Sequence, residues 1–373
     1  MLKRNIELNQ LWCFSCFLLS FFMGGTVIGC SQKDNFERMI SFDRNLINTT
    51  GAELVCQLSE DNILLKDIVE FIVLSDTTFV VMDGKGVYLY HTSGNFKKQF
   101  GNTGQGRGAM IAPSRVYATS DLVYIWCRSL MKFLIFDHEA NLKNELSGFK
   151  RAVKKFVVEP SNNILYIYTS GIFKNTENKT IDVIDVYNIA EKTSKKYGER
   201  CPEDEVLSTW NNSGGFYGDM ERLIYLHPGN LIIHDLYLNS DKTLRYKIDD
   251  KAFSTTKITS HVREIMENRP KLTDYLHNNS LVKDLYKDNC QFIVVAEIGQ
   301  YDYDQRSRAM NQQKRKIKLY FLDVSFNPIR TILFDYISSP NIVIHSGAMY
   351  FLTLELGEKD QKILLNRFSL SEE

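Results

Sequence analysis

Glycines in a phosphate-binding pattern are the first residues of this sequence that could do chemistry. The stretch FGNTGQGRGAM, residues 100–110, contains G-x-G-x-x-A at Gly104, Gly106 and Ala109, a pattern that can cradle a dinucleotide. Such a loop needs a helix immediately after it, with the helix N-terminus facing the pyrophosphate. Pro113 and a strand-like segment follow instead. The stretch therefore predicts a connection between strands and no nucleotide cofactor.

Histidines and cysteines are the other candidates for metal or catalytic chemistry. None of the seven histidines belongs to an H-E-x-x-H motif or a paired metal-ligand spacing, and no G-x-S-x-G nucleophile motif occurs. Cys56, Cys127, Cys201 and Cys290 show no C-x-x-C zinc or redox spacing. We predict no metal site and no catalytic residue. The four thiols could equally be free or form disulfides.

The first thirty residues have the composition of an export signal. Lys3 and Arg4 precede an apolar stretch, Leu11 to Ile28, which predicts a signal peptide; a retained transmembrane anchor is the alternative. The sequence VIGC that ends at Cys30 resembles the lipobox of bacterial lipoproteins. That resemblance implies cleavage before Cys30 and acylation of its thiol. Because Ser31 follows, it also implies export to the outer membrane, on either the periplasmic or the surface side.

Composition and charge are those of a globular protein. Hydrophobic residues make up 44% of the chain and charged residues 24%, and the 19 tyrosines and 23 phenylalanines favour strands. The 45 basic residues equal the 45 acidic ones. The chain as a whole therefore gives no electrostatic reason to expect a nucleic-acid partner.

Short apolar runs separated by turn residues recur along the chain in units of four strands. The clearest unit is Ile68 to Gly101, and a second, Ser114 to Leu146, repeats its pattern 44 to 46 residues further on. Four strands at this period are typical of a β-propeller blade. The strands predicted in the first unit are Ile68–Leu74, Thr78–Met82, Val87–His91 and Phe96–Phe100.

The turn between the first two strands of each unit gives the number of blades. Six such turns are predicted, at Ser75-Asp76, Ser120-Asp121, Asn162-Asn163, Gly218-Asp219, Asp288-Asn289 and Ser346-Gly347. They predict an all-β fold, a six-bladed propeller with four-stranded blades. The last unit has only three strands, and Leu54 to Leu58 can supply its fourth and close the ring, which removes exposed sheet edges.

These elements predict how the chain is divided. We expect a lipoprotein signal peptide at 1–29, a tether at 30–49 and the propeller at 50–373. Apolar residues at helical spacing predict a helical insert at about 251–279, broken by Pro270.

The glycine stretch and its flanks carry a family resemblance. The segment from Gly94-Asn95-Phe96 through the glycines to Pro113 resembles the NHL-type repeat of bacterial six-bladed propeller lipoproteins. It departs from that repeat at Arg107 and Ala109, where proline and glutamate are usual. The resemblance implies a propeller fold and a cell-envelope location, and it carries no common catalytic motif.

One end of the predicted propeller carries the candidate binding residues. Strand order places the connections between blades and the loops between second and third strands at the same end, and insertions there often mark a binding surface. Arginines could bind an anionic group, and tyrosine and arginine are favoured in protein interfaces. The candidates are Lys85, Arg107, Arg115, Arg128, His227, Tyr301 and Tyr303.

The function that we predict from these features is binding without catalysis. We expect a monomeric lipoprotein, anchored in the membrane by its lipid, that binds an envelope protein, peptide or glycan. The alternative is a propeller hydrolase or lyase with its active site at the channel mouth. Positions on the innermost strands offer few oxygen ligands for a cation, which favours binding. They are Glu70, Arg115, Lys154, Tyr217, Lys283 and Asn341.

Overall fold

The computed structural model describes most of the chain from residue 36 onward. The described residues are 36–42, 45–47, 51–58, 65, 68–159, 161, 163–169, 184–198, 206, 214–240, 242–256, 262–299, 302–304, 309–311, 316–335, 341–356 and 361–370. The predicted signal peptide, Cys30, Cys201 and Tyr301 lie outside them. No helix among these residues is long and apolar enough to cross a membrane.

Six antiparallel sheets follow one another along the chain and form the blades of a propeller. The first strand of each blade is innermost and contacts the first strands of its neighbours. Blade 1 consists of Ile68–Ser75, Thr78–Asp83, Val87–His91 and Phe96–Phe100. Blade 2 consists of Pro113–Ala118, Leu122–Cys127, Lys132–Asp137 and Leu142–Leu146. Blade 3 consists of Val153–Glu159, Ile164–Thr169, Ile184–Asn188 and Thr193–Tyr197.

The second half of the chain forms blades 4 to 6. Blade 4 consists of Gly215–Gly218, Arg222–Leu226, Ile232–Tyr237 and Lys242–Ile248. Blade 5 consists of Leu281–Asp288, Gln291–Ile298, Lys316–Asp323 and Pro328–Asp335. Blade 6 consists of Ile342–His345, Ala348–Leu356, Gln361–Ser369 and Glu53–Gln57. The predicted all-β, six-bladed propeller is confirmed, and so is the closure of blade 6 by a strand from the N-terminal side.

The middle strands of a blade are buried on both faces because a neighbouring blade packs against each face. In blade 1, Phe79–Met82 is fully buried. Successive side chains of a strand point to opposite faces. Phe79 and Val81 accordingly join the core shared with blade 6, while Val80 and Met82 join the core shared with blade 2. Because both faces are buried, the middle strands appear in the sequence as near-continuous apolar runs.

A segment N-terminal to the ring lies along its outer edge. Arg38–Ile40 pairs in parallel with the fourth strand of blade 4, and Asn45–Ile47 pairs in parallel with the fourth strand of blade 5. We call these two strands the belt. Both lie within the range 30–49 that was predicted as a tether.

Side chains and backbone hold the first part of the belt in place. Ile40 is 1% exposed within the core shared by blades 4 and 5. Its carbonyl accepts a hydrogen bond from the Asp249 amide at 2.9 Å. Arg38 donates to the side chain of Asn327 at 2.5 Å and to the Ser325 carbonyl at 2.8 Å. The belt thus joins the peripheries of blades 4 and 5.

Two short helices, Val262–Glu267 and Arg269–Asn278, lie inside the predicted insert. Asn268 caps the second helix by accepting from the Lys271 amide at 3.2 Å. Pro270 stands in the first turn, where its missing N–H has no intrahelical partner to lose. The second helix, with Pro270 in its first turn, therefore begins directly after the first helix ends.

The glycine stretch forms the connection from blade 1 to blade 2. Gly101 has φ +58, and a Cβ on it would lie 2.3 Å from the Gly108 carbonyl, so the crossover needs glycine there. The Gly108 amide donates to Glu145 at 2.6 Å, and Lys132 donates to the same oxygen at 2.9 Å. A strand, Pro113–Ala118, follows. The stretch is thus a folded crossover, as its flanking residues predict.

Candidate functional site

The innermost strands of all six blades line a central channel with a cavity of about 310 Å³. Its wall combines apolar side chains with charged ones. The polar side chains that line it are Glu70, Arg115, Tyr117, Lys155, Tyr217, Asp284, Tyr286, Lys287, Asn341 and His345. Strand order places the inter-blade connections at the end where the innermost strands begin, so we call that end the insertion face.

Four charged residues occupy equivalent positions near the insertion face. Each directly precedes the core residue of its innermost strand, on blades 1, 2, 3 and 5 in turn. Blade 4 has Gly215 at this position. We call the four charged residues the channel ring; they are Glu70, Arg115, Lys155 and Asp284.

A β-bulge places each charge of the channel ring. Strand register shifts by one residue immediately before each of the four, and the residues skipped by the register are Val69, Ser114, Lys154 and Lys283. Blades 4 and 6 have no charge there and no such shift. A bulge re-aims the side chain that follows it, and here that side chain lines the channel.

At two of the six innermost-strand positions expected from sequence, the bulge places the next residue in the channel. Lys155 and Asp284 line the channel, whereas Lys154 and Lys283 do not. The carbonyl of Lys154 accepts a hydrogen bond from Arg115 Nε, and Lys283 pairs with the buried Glu297 at 3.5 Å. Alternation along a regular strand cannot anticipate an inserted residue.

The channel ring forms an ion pair that spans blade 4 and several hydrogen bonds along the channel wall. Lys155 on blade 3 pairs with Asp284 on blade 5, and their side chains are only 16% and 19% exposed. Glu70 accepts from the Val116 amide at 2.8 Å. Arg115 also donates to the Ser114 carbonyl at 2.8 Å. Charges of both signs are thus held in a largely shielded space.

Burial dominates the electrostatics of Glu70. Removal from water raises the pKa of its carboxyl above the ordinary value, while the charge of Arg115, the Val116 amide and the charge of Lys155 act in the opposite direction. Asp284 adds to the rise because it is a like charge. A carboxyl with a raised pKa in a cleft marks a candidate functional site.

Hydrogen bonds near the channel join every pair of neighbouring blades. Each contact joins a side chain of one blade to the next blade. In order around the ring they are Glu70 with the Val116 amide, Tyr117 with the Val158 amide, Tyr166 with the Asp219 carbonyl, Tyr217 with Lys287, Tyr286 with the Ile342 carbonyl, and Asn341 with the amide and carbonyl of Phe71. Buried polar groups that are paired in this way fix one geometry. The channel wall is therefore preorganised.

The predicted ligand-binding residues differ in where the structure places them. Lys85, Arg107 and Arg128 are exposed in loops at the insertion face. Arg115 is 6% exposed and belongs to the channel ring. Tyr303 lies in the short strand Asp302–Asp304, whose side chains are not described. The face thus has exposed cations outside and a charged ring within.

His227, another predicted candidate, is buried at 4% exposure and does not reach the surface. It packs edge-on against His234 with ring centroids 5.2 Å apart, and His234 stacks on Tyr225 at 4.6 Å. Burial, His227 and Arg245 hold the pKa of His234 well below its ordinary 6.5. The three rings pack together on blade 4.

The His234 cluster predicts a pH dependence of stability. The unfolded chain takes up a proton near pH 6.5 while the folded chain does not, so stability falls as pH drops below that value. We expect His234→Phe, which keeps a ring on Tyr225, to remove up to roughly 1.4 kcal/mol per pH unit of this loss. Thermal unfolding between pH 7.5 and 5 measures it; identical slopes in both proteins would contradict the assignment.

The described residues contain no group of three or more histidines, cysteines, aspartates or glutamates that could hold a metal ion. Cys56 and Cys127 are buried, and burial raises the pKa of each thiol to about 11, which keeps them protonated. Cys290 is a free, exposed thiol. What the channel ring can offer a ligand is therefore a fixed arrangement of opposite charges and hydrogen bonds.

Comparison with known proteins supports the fold. No protein-family profile and no curated protein matches the chain. The chain is similar to a solved "Putative exported protein" of Bacteroides fragilis, with 11% identity, a TM-score of 0.57, and 89% of this chain and 99% of that chain covered. It is also similar to a DUF4221 family member from Bacteroides vulgatus, with 11% identity, a TM-score of 0.58, and 86% and 98% covered. At such identity a shared fold is what the likeness shows.

Proposed function

We propose that the protein is an exported, lipid-anchored propeller that binds its ligand without catalysis at the insertion face. The observation that carries this proposal is the channel ring, four preorganised charges at the mouth of a cavity of about 310 Å³. Concave sites with a few convergent polar groups are typical of ligand binding. The partner classes that fit a charged mouth are a protein segment, a peptide or a glycan of the cell envelope.

Export and the lipid anchor have separate support. The signal-like N-terminus and the VIGC sequence that ends at Cys30 are typical of bacterial lipoproteins. The "Putative exported protein" of Bacteroides fragilis has a similar fold. Acyl chains on Cys30 would hold the propeller at a membrane, on the periplasmic or the surface side.

The exposed cations of the insertion face supply a test of binding. A double variant, Arg107→Ala with Arg128→Ala, should recover at least about fivefold less of the partner from envelope extract than the wild type, because interface arginines anchor partners. Arg115 is left intact since it also bonds blade 3. Captured proteins and glycans would be quantified by mass spectrometry.

A second double variant controls for net charge. Lys195→Ala with Lys196→Ala removes the same charge from the exposed outer edge of blade 3, and it should recover the partner as the wild type does. Equal recovery by all three proteins would argue against binding through these arginines.

Replacement of the predicted lipidation site tests the anchor. Cys30→Ala should move the protein from the membrane to the soluble fraction and abolish labelling with a fatty-acid analogue, because the thiol that carries the lipid is gone. Cys290→Ala, which removes an exposed thiol elsewhere, should leave both readouts unchanged. Unaltered labelling of the Cys30 variant would refute lipidation there.

A further inference from the structure

The channel ring holds two charges of each sign on four of the six blades. Arg115 and Lys155 are on the neighbouring blades 2 and 3, while Asp284 and Glu70 are on blades 5 and 1. Lys155 pairs with Asp284, and Glu70 lies on the blade next to that of Arg115, whose charge acts on it. Each charge of the ring is therefore close to one of the opposite sign.

The ion pair of Lys155 and Asp284 spans the inner edge of blade 4, the blade between them. Blade 4 contributes only Gly215 at this level, and a Cβ on Gly215 would lie 2.6 Å from Leu285 Cβ. The close approach of blades 4 and 5 thus leaves no side chain between the two charges, and the lysine reaches from blade 3 to blade 5. The pair is thus part of the channel wall.

A ligand that enters the mouth has to leave every shielded charge with a partner. An uncharged ligand cannot replace either member of the pair, and a ligand of one sign leaves the other member unpaired. Loss of one partner from a shielded charge pair is strongly unfavourable. Selectivity of this kind arises from the penalty on the wrong ligand as much as from attraction to the right one.

We propose that the channel ring binds a small zwitterion, a free amino acid or a short peptide with free termini, through both of its charges. This inference rests on the proposed binding function and names a small ligand for the channel ring itself. The ligand carboxylate replaces Asp284 as the partner of Lys155, beside Arg115. The ligand ammonium replaces Lys155 as the partner of Asp284. A cavity of about 310 Å³ is at the lower end of ligand sites, which suits a ligand of this size.

Calorimetry on the full mature protein tests the proposal at neutral pH and low salt. The common amino acids and their glycyl dipeptides are screened at millimolar concentration. The tightest binder is then compared with its N-acetyl, amide and doubly blocked forms, which carry one negative charge, one positive charge and no charge. We expect each blocked form to bind at least about tenfold more weakly than the zwitterion.

Variants of the ion pair test whether the preference for the zwitterion arises at the channel ring. Lys155→Met with Asp284→Asn removes both charges together and leaves neither unpaired, so the propeller should fold, as circular dichroism would verify. It should lose the preference for the zwitterion, whereas Lys196→Met, on the exposed edge of the same blade, should retain it.

Three outcomes would overturn the proposal. They are heat from none of the free compounds, equal binding of free and blocked forms, and a zwitterion preference that survives in the neutral double variant. If the blocked forms bound and the double variant weakened that binding, the proposed binding function would stand and the zwitterion proposal would be refuted. If partner capture depended on Arg107 and Arg128 but no free compound gave heat, the binding function would again stand without the zwitterion proposal.

Discussion

A chain that begins at residue 50 is expected to be less stable than one that begins at residue 36 by roughly 3 to 5 kcal/mol, and to aggregate. The shorter chain lacks the belt. It loses the burial of Ile40, which is 1% exposed, and the parallel pairing of Arg38–Ile40 and Asn45–Ile47 with blades 4 and 5. Urea unfolding and light scattering on the two chains measure the difference.

Aggregation is expected because of the edge that the belt covers. The fourth strand of blade 5, PIRTILFD, has no lysine, whereas the uncovered fourth strands of blades 1 and 3 carry adjacent lysines, in FKKQF and TSKKY. Lysines on an edge strand oppose pairing with another molecule. Equal stability and equal scattering of the two chains would show that the belt is dispensable.

Gly94→Ala is expected to destabilise the propeller by at least about 3 kcal/mol, since both backbone strain and a direct clash oppose it. Gly94 has φ +87 in the last turn of blade 1, and a Cβ there would lie 1.9 Å from the Gln57 carbonyl oxygen. Gln57 belongs to the strand that closes blade 6. The substitution therefore acts at the seam of the ring, and thermal and urea unfolding report it.

A second glycine of the same blade is the matched control. A Cβ on Gly84 would meet nothing within 4 Å, and no positive φ is found there. Gly84→Ala should change stability by less than about 1 kcal/mol. If the two substitutions had the same effect, the contact between Gly94 and the closing strand would not matter to the ring.

The fold could be predicted because its signals are local. Turn residues such as Ser75-Asp76 specify a hairpin, and the four apolar runs of Ile68 to Gly101 specify the strands of one blade. Six repeats of this unit form the ring. The belt could not be predicted in this way. A segment of three residues that pairs with a strand some two hundred positions later leaves no periodicity of its own.

The site was predicted less completely because a bulge is invisible to strand alternation. Lys154-Lys155 and Lys283-Asp284 each offer two charged neighbours, and the register shift alone decides which of the two lines the channel. Arg115 was found because it is the one charged residue at the start of its strand. His227 looked like a surface candidate from its loop position, yet the aromatic rings of blade 4 bury it.

The belt and the closing strand also set the order in which the protein can assemble. Glu53–Gln57 pairs with Gln361–Ser369, and Arg38–Ile40 pairs with Lys242–Ile248. Contacts between residues so far apart in sequence form slowly. Blades 1 to 3 can form from neighbouring strands as the chain emerges, and blades 4 to 6 then pair with the belt and the closing strand, which emerged before them. In a chain that emerges N-terminus first, Glu53–Gln57 would stay unpaired until Gln361–Ser369 had emerged, and closure of the ring would be the final step of folding.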